Sequence, residues 1–114
     1  MTGNLIEKAV TRYAEEAKAI YGSSLYKVIL YGSCARGDYD NESDVDIMIL
    51  LNIPQAEIKY ERKRGRDIAN RLDKEFNYEV MLMPSIQSKE HYDKYVDALP
   101  LFTNIEKEGI AYVG

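Results

Sequence analysis

The sequence predicts an α/β (α+β) fold, a small β-sheet with helices packed against one side. Three apolar runs bounded by turn residues predict strands, and stretches with apolar residues three or four positions apart predict helices around and between them. Strands that alternate with helices in a short chain are typical of such a sheet. The chain has 114 residues, 46% of them hydrophobic. We therefore expect residues 1–114 to form a single domain with a buried core.

The predicted elements follow one another closely. Residues 4–21 have the apolar spacing of an amphipathic helix, and Gly22 is placed to cap it. Residues 25–31 and 45–51 predict the first two strands, the second buried on most of both faces. The loop between them has room for a helical turn after Ser33. The remaining predictions are a helix at 55–76, a strand at 78–83 ended by Pro84, a helix at 89–98 capped by Ser88, and a helical segment at 101–108 ended by Gly109, before an apolar tail at 110–113.

Composition excludes several classes of function. No apolar stretch approaches the roughly 20 residues of a membrane span, and the first residues lack the basic and apolar regions of a signal peptide. Cys34 is the only cysteine, so no intrachain disulfide is possible and a cytoplasmic location is the simplest interpretation. The net charge of −4 argues against general binding of nucleic acid.

A turn at the end of the first predicted strand is suited to hold a phosphate. Gly32 lets the backbone approach a phosphate closely, and the N–H groups that follow can cradle the anion. The Ser33 hydroxyl can donate to a phosphate oxygen. A Gly-Ser pair also marks ordinary turns, and the Gly-Lys-Ser or Gly-Lys-Thr of a P-loop does not follow at the required spacing.

Two carboxylates lie at the start of the second predicted strand. Successive side chains of a strand point to opposite faces, so Asp44 and Asp46 are expected on the same face. Their burial side by side is costly without a cation between them, and Mg²⁺ prefers one or two carboxylates plus phosphate oxygens. The short loop from Gly32 would let one site hold a triphosphate and its metal ion. The alternative is that both residues cap the loop in solvent.

Two further features could contact a nucleotide. Tyr31 and Tyr39 are the tyrosines nearest the loop and could stack on a base, although packing in a core or an interface is the commoner role. A basic cluster follows the second strand, and its extent suits contact with a single nucleotide rather than with a nucleic-acid duplex. The alternative is a solvated helix face. The cluster consists of Lys59, Arg62, Lys63, Arg64, Arg66 and Arg71.

The loop resembles the signature of the polymerase-β-like nucleotidyltransferase superfamily. That signature is Gly-Ser-x-Ala-Arg-Gly, a short spacer and Ser-Asp-x-Asp, and it is present here at residues 32–37 and 43–46. The small size of the chain and the ending Leu-Pro-Leu-Phe-Thr-Asn-Ile-Glu-Lys-Glu-Gly at residues 99–109 make it most similar to the minimal nucleotidyltransferases (MNT) of bacteria and archaea. The resemblance covers essentially the whole chain, although only the loop is diagnostic.

The resemblance implies a fold, a reaction and a set of roles. The fold is a mixed sheet with flanking helices. The reaction is Mg²⁺-dependent transfer of a nucleoside monophosphate from a nucleoside triphosphate to a hydroxyl. Gly32 and Ser33 would bind the triphosphate, and Asp44 and Asp46 would bind the metal ion. Arg36 would lie near the phosphates or tie the loop to an acidic group.

A third carboxylate from a neighbouring strand normally completes such a site, often as the base for the incoming hydroxyl. Glu79 is the only acidic residue inside the third predicted strand, so we expect it to join Asp44 and Asp46 as a catalytic residue. Met81 could instead occupy the aligned position, and its side chain cannot bind Mg²⁺. In that case the chain would bind nucleotide but transfer it slowly or not at all.

The resemblance also implies a partner. Larger members carry extra domains that hold the acceptor, and 114 residues leave no room for one, so a partner protein or a second copy is expected to complete the site. MNT proteins resemble antitoxins that pair with small helical HEPN ribonuclease toxins and adenylylate a tyrosine on them. The alternatives are a binding module that neutralises a partner by contact alone and a transferase of the aminoglycoside-modifying type, which the missing acceptor domain disfavours.

Overall fold

The computed structural model describes residues 2–113. Its helices and strands are α1 (Gly3–Tyr21), β1 (Leu25–Tyr31), α2 (Ser33–Arg36), β2 (Val45–Leu51), α3 (Ile58–Glu75), β3 (Leu82–Ser88), α4 (Lys89–Tyr95), α5 (Pro100–Glu108) and β4 (Ile110–Val113). Short 3-10 turns precede β1 at Gly22–Ser24 and α3 at Gln55–Glu57. Among the described residues, none of the helices is long and apolar enough to cross a membrane.

Four strands form one sheet in the order β3-β2-β1-β4. β1 is antiparallel to both β2 and β4, whereas β2 and β3 are parallel. The predicted α/β class, with a mixed sheet and flanking helices, is therefore confirmed. β4 is a finding beyond the sequence prediction of an apolar tail, because its partner strand β1 lies some 80 residues earlier in the chain.

Helices cover both faces of the sheet, so the prediction of helices on one side was wrong. α1 and α3 pack on one face, where Tyr13 and Leu72 contribute to the larger apolar core. α4 and α5 pack on the other face, where Tyr92 and Phe102 contribute to a smaller core. Because successive strand side chains alternate, Asp46 lies on the face of the smaller core, together with Met48 and Leu50 of β2.

The first half of the chain folds as the sequence predicts. The side chain of Thr2 caps α1 by accepting the N–H of Leu5 at 3.1 Å, and Gly22 ends it with a positive φ of 55°. β1 and β2 have the predicted bounds, and six of the seven residues of β2 are buried. Since β2 has a strand on each side and helices above and below, it forms the centre of the molecule.

The third strand differs from the prediction at both ends. It covers Leu82–Ser88 instead of 78–83, and Pro84 lies inside it, paired with Ile47 of β2. Proline is tolerated because β3 is an edge strand, and a proline there removes only an N–H that points away from the sheet. Residues 76–79 form a turn instead, in which Asn77 and Tyr78 have φ near 57° and 59°.

The C-terminal helices are close to those predicted. The Ser88 side chain caps α4 by accepting the N–H of His91 at 3.0 Å. α4 ends at Tyr95, earlier than predicted, because its carbonyl accepts the N–H groups of both Ala98 and Leu99 in a closing turn. α5 then begins at Pro100, and Gly109 follows its last residue as predicted.

Candidate active site

The loop after β1 turns sharply at Gly32. Its φ of 75° lies in the left-handed region, which favours glycine. The Gly32 carbonyl accepts the N–H groups of Ala35 and Arg36, each at 3.1 Å, and so begins the short helix α2. Gly37, with a φ of 87°, ends it. The helical turn predicted after Ser33 is therefore confirmed.

Gly32 also lies against the carboxylate of Asp46. A Cβ atom built on Gly32 would be only 2.7 Å from Asp46 Oδ2. Asp46 pairs with Tyr31 of β1 on one side and with Met83 of β3 on the other. The Gly-Ser turn and the Asp-x-Asp segment, twelve residues apart in sequence, therefore meet at one point on the sheet.

The two carboxylates of the motif have different environments. Asp44 precedes β2 and is exposed, whereas Asp46 lies within β2 and is half-buried. Burial raises the pKa of Asp46, and the charge of Asp44 raises it further. Ionisation of both carboxylates is therefore unfavourable in this position, and a cation bound between them would offset that cost.

The loop between the two motif segments is closed by its own hydrogen bonds. The Asp40 carboxylate accepts the N–H of Glu42 at 2.8 Å and the hydroxyl of Ser43 at 3.3 Å. The Ser43 hydroxyl in turn accepts the N–H of Asp40 at 3.0 Å. These bonds restrain the backbone immediately before Asp44.

Arg36 makes two ion pairs away from the carboxylate pair. Its Nε donates to Asp38 at 3.0 Å, and its Nη1 donates to Glu108 at the end of α5 at 3.3 Å. Of the two roles expected for Arg36, the structure shows the one that ties the loop to an acidic group. No cationic side chain of this loop therefore neutralises Asp44 and Asp46.

The structure does not bring Glu79 into this site. Glu79 lies outside β3 in the exposed turn, where its N–H donates to the Phe76 carbonyl at 3.1 Å. Within residues 2–113, no group of three or more His, Cys, Asp or Glu side chains is arranged to hold a metal ion. The expectation that Glu79 completes a set with Asp44 and Asp46 rested on the wrong strand bounds and is corrected here.

Methionines occupy the strand position beside the carboxylates. Met83 pairs with Asp46 in the parallel register of β2 and β3, so the two side chains share a face. Met81 lies two residues earlier on the same face, and its carbonyl accepts the Val45 N–H at 2.8 Å. The two side chains are 46% and 56% exposed, a high exposure for large apolar residues.

The basic cluster lies elsewhere. All six of its residues belong to α3, which packs on the face opposite Asp46. Three of them form ion pairs with acidic residues on α1 or α3, namely Lys63 with Asp67, Arg64 with Glu61 and Arg71 with Glu16. This arrangement matches the solvated helix face that was the alternative interpretation.

The donor set of the loop fits one divalent cation held jointly with phosphate oxygens. Two carboxylates at adjacent same-face positions, one with a raised pKa, are the ligands that Mg²⁺ takes from a protein when substrate phosphates supply the rest. A cage made by protein side chains alone would need more donors than this site offers.

Comparison with known proteins identifies the family. Residues 10–109 match the family model described as a nucleotidyltransferase domain, which is most of the chain. The chain belongs to the nucleotidyltransferase domain family. The predicted membership of the minimal nucleotidyltransferases and the predicted enzyme class are confirmed by this match and by the relatives that follow.

Two relatives of this nucleotidyltransferase come from Methanocaldococcus jannaschii. The candidate protein adenylyltransferase MJ0141 is 33% identical over 92 residues, covering 81% of this chain and 89% of the relative. The candidate protein adenylyltransferase MJ0604 is 31% identical over 103 residues, covering 90% and 93%.

Two solved structures share the fold. A candidate nucleotidyltransferase from Sulfolobus solfataricus superposes with a TM-score of 0.58 at 18% identity, covering 96% of this chain and 80% of that one. A mutant form of the toxin–antitoxin protein MntA-HpeT superposes with a TM-score of 0.50 at 14% identity, covering 100% and 74%.

Sequence reasoning offered Met81 for the aligned position, but it missed the pairing of Met83 with Asp46 and the contact between the loop and α5. A period of two through Val80, Leu82 and Ile86, all of which are buried, was a signal that the strand continues past Pro84. The ion pair between Arg36 and Glu108 joins residues 72 positions apart. Only the packing of α5 beside β1 reveals it.

Proposed function

We propose that this nucleotidyltransferase transfers AMP from ATP to a hydroxyl of a partner protein, with Mg²⁺ bound at Asp44 and Asp46. The observation that carries the proposal is the contact of Gly32 with Asp46, where a Cβ atom would lie 2.7 Å from the carboxylate oxygen. That contact brings a backbone turn able to accept phosphate to the same place as the carboxylate pair.

The proposed roles follow from the positions of the side chains. The turn at Gly32 would present its backbone N–H groups to a phosphate, and Ser33 would donate its hydroxyl to a phosphate oxygen. The first N–H groups of α2 have no acceptor within the helix and would face the same anion. Arg36 would hold the loop in place through Asp38 and Glu108.

Asp44 and Asp46 would hold the Mg²⁺ ion. When bound, the ion neutralises triphosphate charge and stabilises the charge that develops in the transition state. Asp46 is suited to this role because burial and the neighbouring Asp44 charge raise its pKa, so that its ionised form gains from a cation.

The reaction is a substitution at the α-phosphorus of ATP. The acceptor oxygen forms a bond to that phosphorus, the bond to the bridging oxygen of the β-phosphate breaks, and pyrophosphate leaves with the electron pair. The hydroxyl proton passes to solvent or to a group of the acceptor. A third carboxylate from this chain is not offered as the base, because Glu79 lies in the exposed turn away from the pair.

The partner is proposed from the relatives. Two of them are named as candidate protein adenylyltransferases, which supports ATP as the donor and a protein as the acceptor. The fold is also that of the toxin–antitoxin protein MntA-HpeT. We propose that this chain is the antitoxin of such a pair, that its partner is a small helical HEPN-type toxin, and that both act in the cytoplasm.

Transfer of radiolabel from ATP tests the proposal. The chain is incubated with Mg²⁺, a lysate of its source organism or a purified HEPN-type protein, and ATP labelled at the α-phosphate or at the γ-phosphate. We expect label on a protein from the α-position and none from the γ-position.

The variant Asp44→Asn with Asp46→Asn should lose this labelling and keep its circular dichroism spectrum. The matched control, Asp67→Asn with Asp93→Asn, makes the same charge change on exposed helical residues and should label as the wild type does. Labelling that survives the change at Asp44 and Asp46 would show that the metal site lies elsewhere.

A second candidate function is a nucleotide-binding module that neutralises its partner by contact alone. The exposed Met81 and Met83 beside the carboxylates favour it, because no third carboxylate lies on that strand face. The labelling experiment separates the two functions. A chain that binds ATP and neutralises its partner, but leaves no α-label on any protein, is a binding module.

A further inference from the structure

A groove lies between the Gly-Ser turn and α5. It has a volume of about 160 Å³, and its lining includes Tyr31, Gly32 and Arg36 from the loop side. Leu101, Asn104 and Ile105 line it from α5. Since Gly32 also contacts Asp46, the groove opens beside the carboxylate pair, on the same face of the sheet.

The groove has an apolar interior and a polar rim. Ile105 is buried at 2% exposure and Tyr31 packs against the same small core, so together they form the floor. Leu101, at 47% exposure, is a large apolar side chain that remains open to solvent at the wall. An aromatic ring and a leucine that border an open slot suit a flat heterocycle, because bases stack on aromatic and apolar side chains.

Asn104 supplies the polar edge. Among residues 2–113, its side-chain amide has no hydrogen-bond partner, and it is exposed where it lines the groove. The other polar rim groups, Arg36 and Glu108, already pair with each other at 3.3 Å. The amide can therefore bind a ligand through one donor and one acceptor held side by side, which the other unpaired polar side-chain group of the described lining, the Tyr31 hydroxyl, cannot offer in that planar arrangement.

We propose that this groove binds the nucleobase of the triphosphate and that Asn104 selects adenine by its 6-amino group. The inference rests on the proposed function, because the base is placed relative to phosphates held at Gly32. The Asn104 carbonyl oxygen accepts from the 6-amino group, and its amide donates to an adjacent ring nitrogen, which is the pairing that asparagine makes with adenine. Guanine has a carbonyl at that position, and this carbonyl cannot donate.

Binding of ATP and of purine riboside triphosphate, which lacks only the 6-amino group, tests the inference. Both affinities are measured with Mg²⁺ by calorimetry, without any acceptor. The wild type is expected to bind ATP about tenfold more tightly than the analogue, the lower range of discrimination by a bidentate amide. In Asn104→Ala this ratio should fall to about one, mainly through weaker binding of ATP.

Two further variants distinguish the effect of the Asn104 amide from that of a general substitution and from that of the apolar wall. Asn70→Ala is the matched control, an exposed helical asparagine on α3, and it should keep the wild-type ratio. Leu101→Ser should weaken both nucleotides by the same factor, because it removes the wall and not the amide. All three positions are exposed, so equal thermal midpoints are expected and will be checked.

The outcomes distinguish this inference from the proposed function. If the wild type binds ATP but Asn104→Ala keeps the wild-type ratio, or if Asn70→Ala lowers it equally, the assignment of the base groove is overturned and the proposed function stands. If the wild type binds neither nucleotide in the presence of Mg²⁺, the proposed function itself fails.

Discussion

At the scale of single residues, the site depends on one contact between backbone and carboxylate. Gly32 is constrained twice, by its φ of 75° and by Asp46 Oδ2 at 2.7 Å from the position of a Cβ atom. Gly37 has a φ of 87° but a ψ of 6°, against −156° at Gly32, and no atom lies within 4 Å of its Cβ position. The pair therefore contrasts a glycine at which both conformation and contact oppose a side chain with one at which conformation alone does.

Gly32→Ala is expected to lower the free energy of unfolding by about 2–3 kcal/mol, because a left-handed alanine and a displaced Asp46 each destabilise the fold. Gly37→Ala should lower it by only about 1–2 kcal/mol, from the conformation alone. Urea denaturation of the two variants measures the difference. Equal losses would mean that neither the ψ of Gly32 nor a displacement of Asp46 adds a cost, and that the contact does not fix the site.

Asp46→Asn is expected to stabilise the protein in the absence of divalent cations. The pKa of Asp46 is raised in the folded chain, by burial and then by Asp44, so the folded state binds its proton more tightly than the unfolded state does. Ionised Asp46 therefore lowers the free energy of unfolding. This loss of stability is absent below the ordinary carboxyl pKa. It grows as the pH rises towards the raised pKa and is complete above it.

Unfolding of the wild type and of Asp46→Asn at a series of pH values from 3 to 7, with chelator present, checks this sign. The variant should match the wild type at the acidic end and exceed it by a few tenths of a kcal/mol to about 1 kcal/mol at neutral pH, since solvent screens a half-buried charge. A variant that is less stable than the wild type at pH 7 would show that the carboxylate has a stabilising partner within the fold.

At the scale of elements, β3 places a methionine, and not a third carboxylate, beside Asp46. Its outer edge is protected: the Leu82 N–H donates to the Asp73 side chain at 3.0 Å, the Ser88 N–H donates to Gln55 at 3.2 Å, and Pro84 has no N–H. Its inner register with β2 places Met83 beside Asp46. The edge is thus closed to further strands, while the face next to the carboxylates is left apolar.

Met83→Asp should complete a group of three carboxylates. The parallel register puts the new side chain on the face of Asp46, so the variant is expected to bind Mn²⁺ without nucleotide at least about tenfold more tightly than the wild type does, since each added oxygen ligand strengthens such a site. Paramagnetic resonance of free Mn²⁺ measures this affinity.

The uncharged variant Met83→Asn is the control for that experiment and should resemble the wild type. If Met83→Asp binds Mn²⁺ no better than Met83→Asn does, Met83 does not lie beside the metal position that Asp44 and Asp46 define.

The elements also show where prediction from the sequence succeeds. β1 and β2 have their predicted bounds because an interior strand must be apolar on both faces, and Gly22 and Gly109 mark helix ends through local chemistry. β3 was misplaced because its edge position, which makes Pro84 acceptable, is a property of the whole sheet. β4 depends on pairing with a strand far away in sequence.

The same distinction applies to the site. Gly32, Ser33, Asp44 and Asp46 could be identified from local spacing, because the turn and the start of β2 are joined by one short loop. The position of Glu79 could not be, since it depended on the bounds of β3. The groove beside α5 could not be either, because Leu101 and Asn104 reach it only through packing of α5 against the sheet.

At the scale of the whole molecule, the basic cluster and the carboxylate pair lie on opposite faces of the sheet. The chain carries a net charge of −4, its basic cluster lies on α3 behind the sheet, and Arg36 is paired with Asp38 and Glu108. A triphosphate that approaches Asp44 and Asp46 therefore meets like charge. Binding of ATP at this face is expected to require a divalent cation.

Calorimetric titration with ATP measures this requirement, with Mg²⁺ or with chelator, on the wild type and on the Asp44→Asn, Asp46→Asn double variant. We predict binding by the wild type with Mg²⁺, a loss of at least about a hundredfold in affinity with chelator, and the same loss in the double variant with Mg²⁺, because both changes remove the ion that joins carboxylates to phosphates. ATP binding that is unaffected by chelator, or retained in the double variant, would show that Asp44 and Asp46 do not hold a metal ion that joins them to the triphosphate.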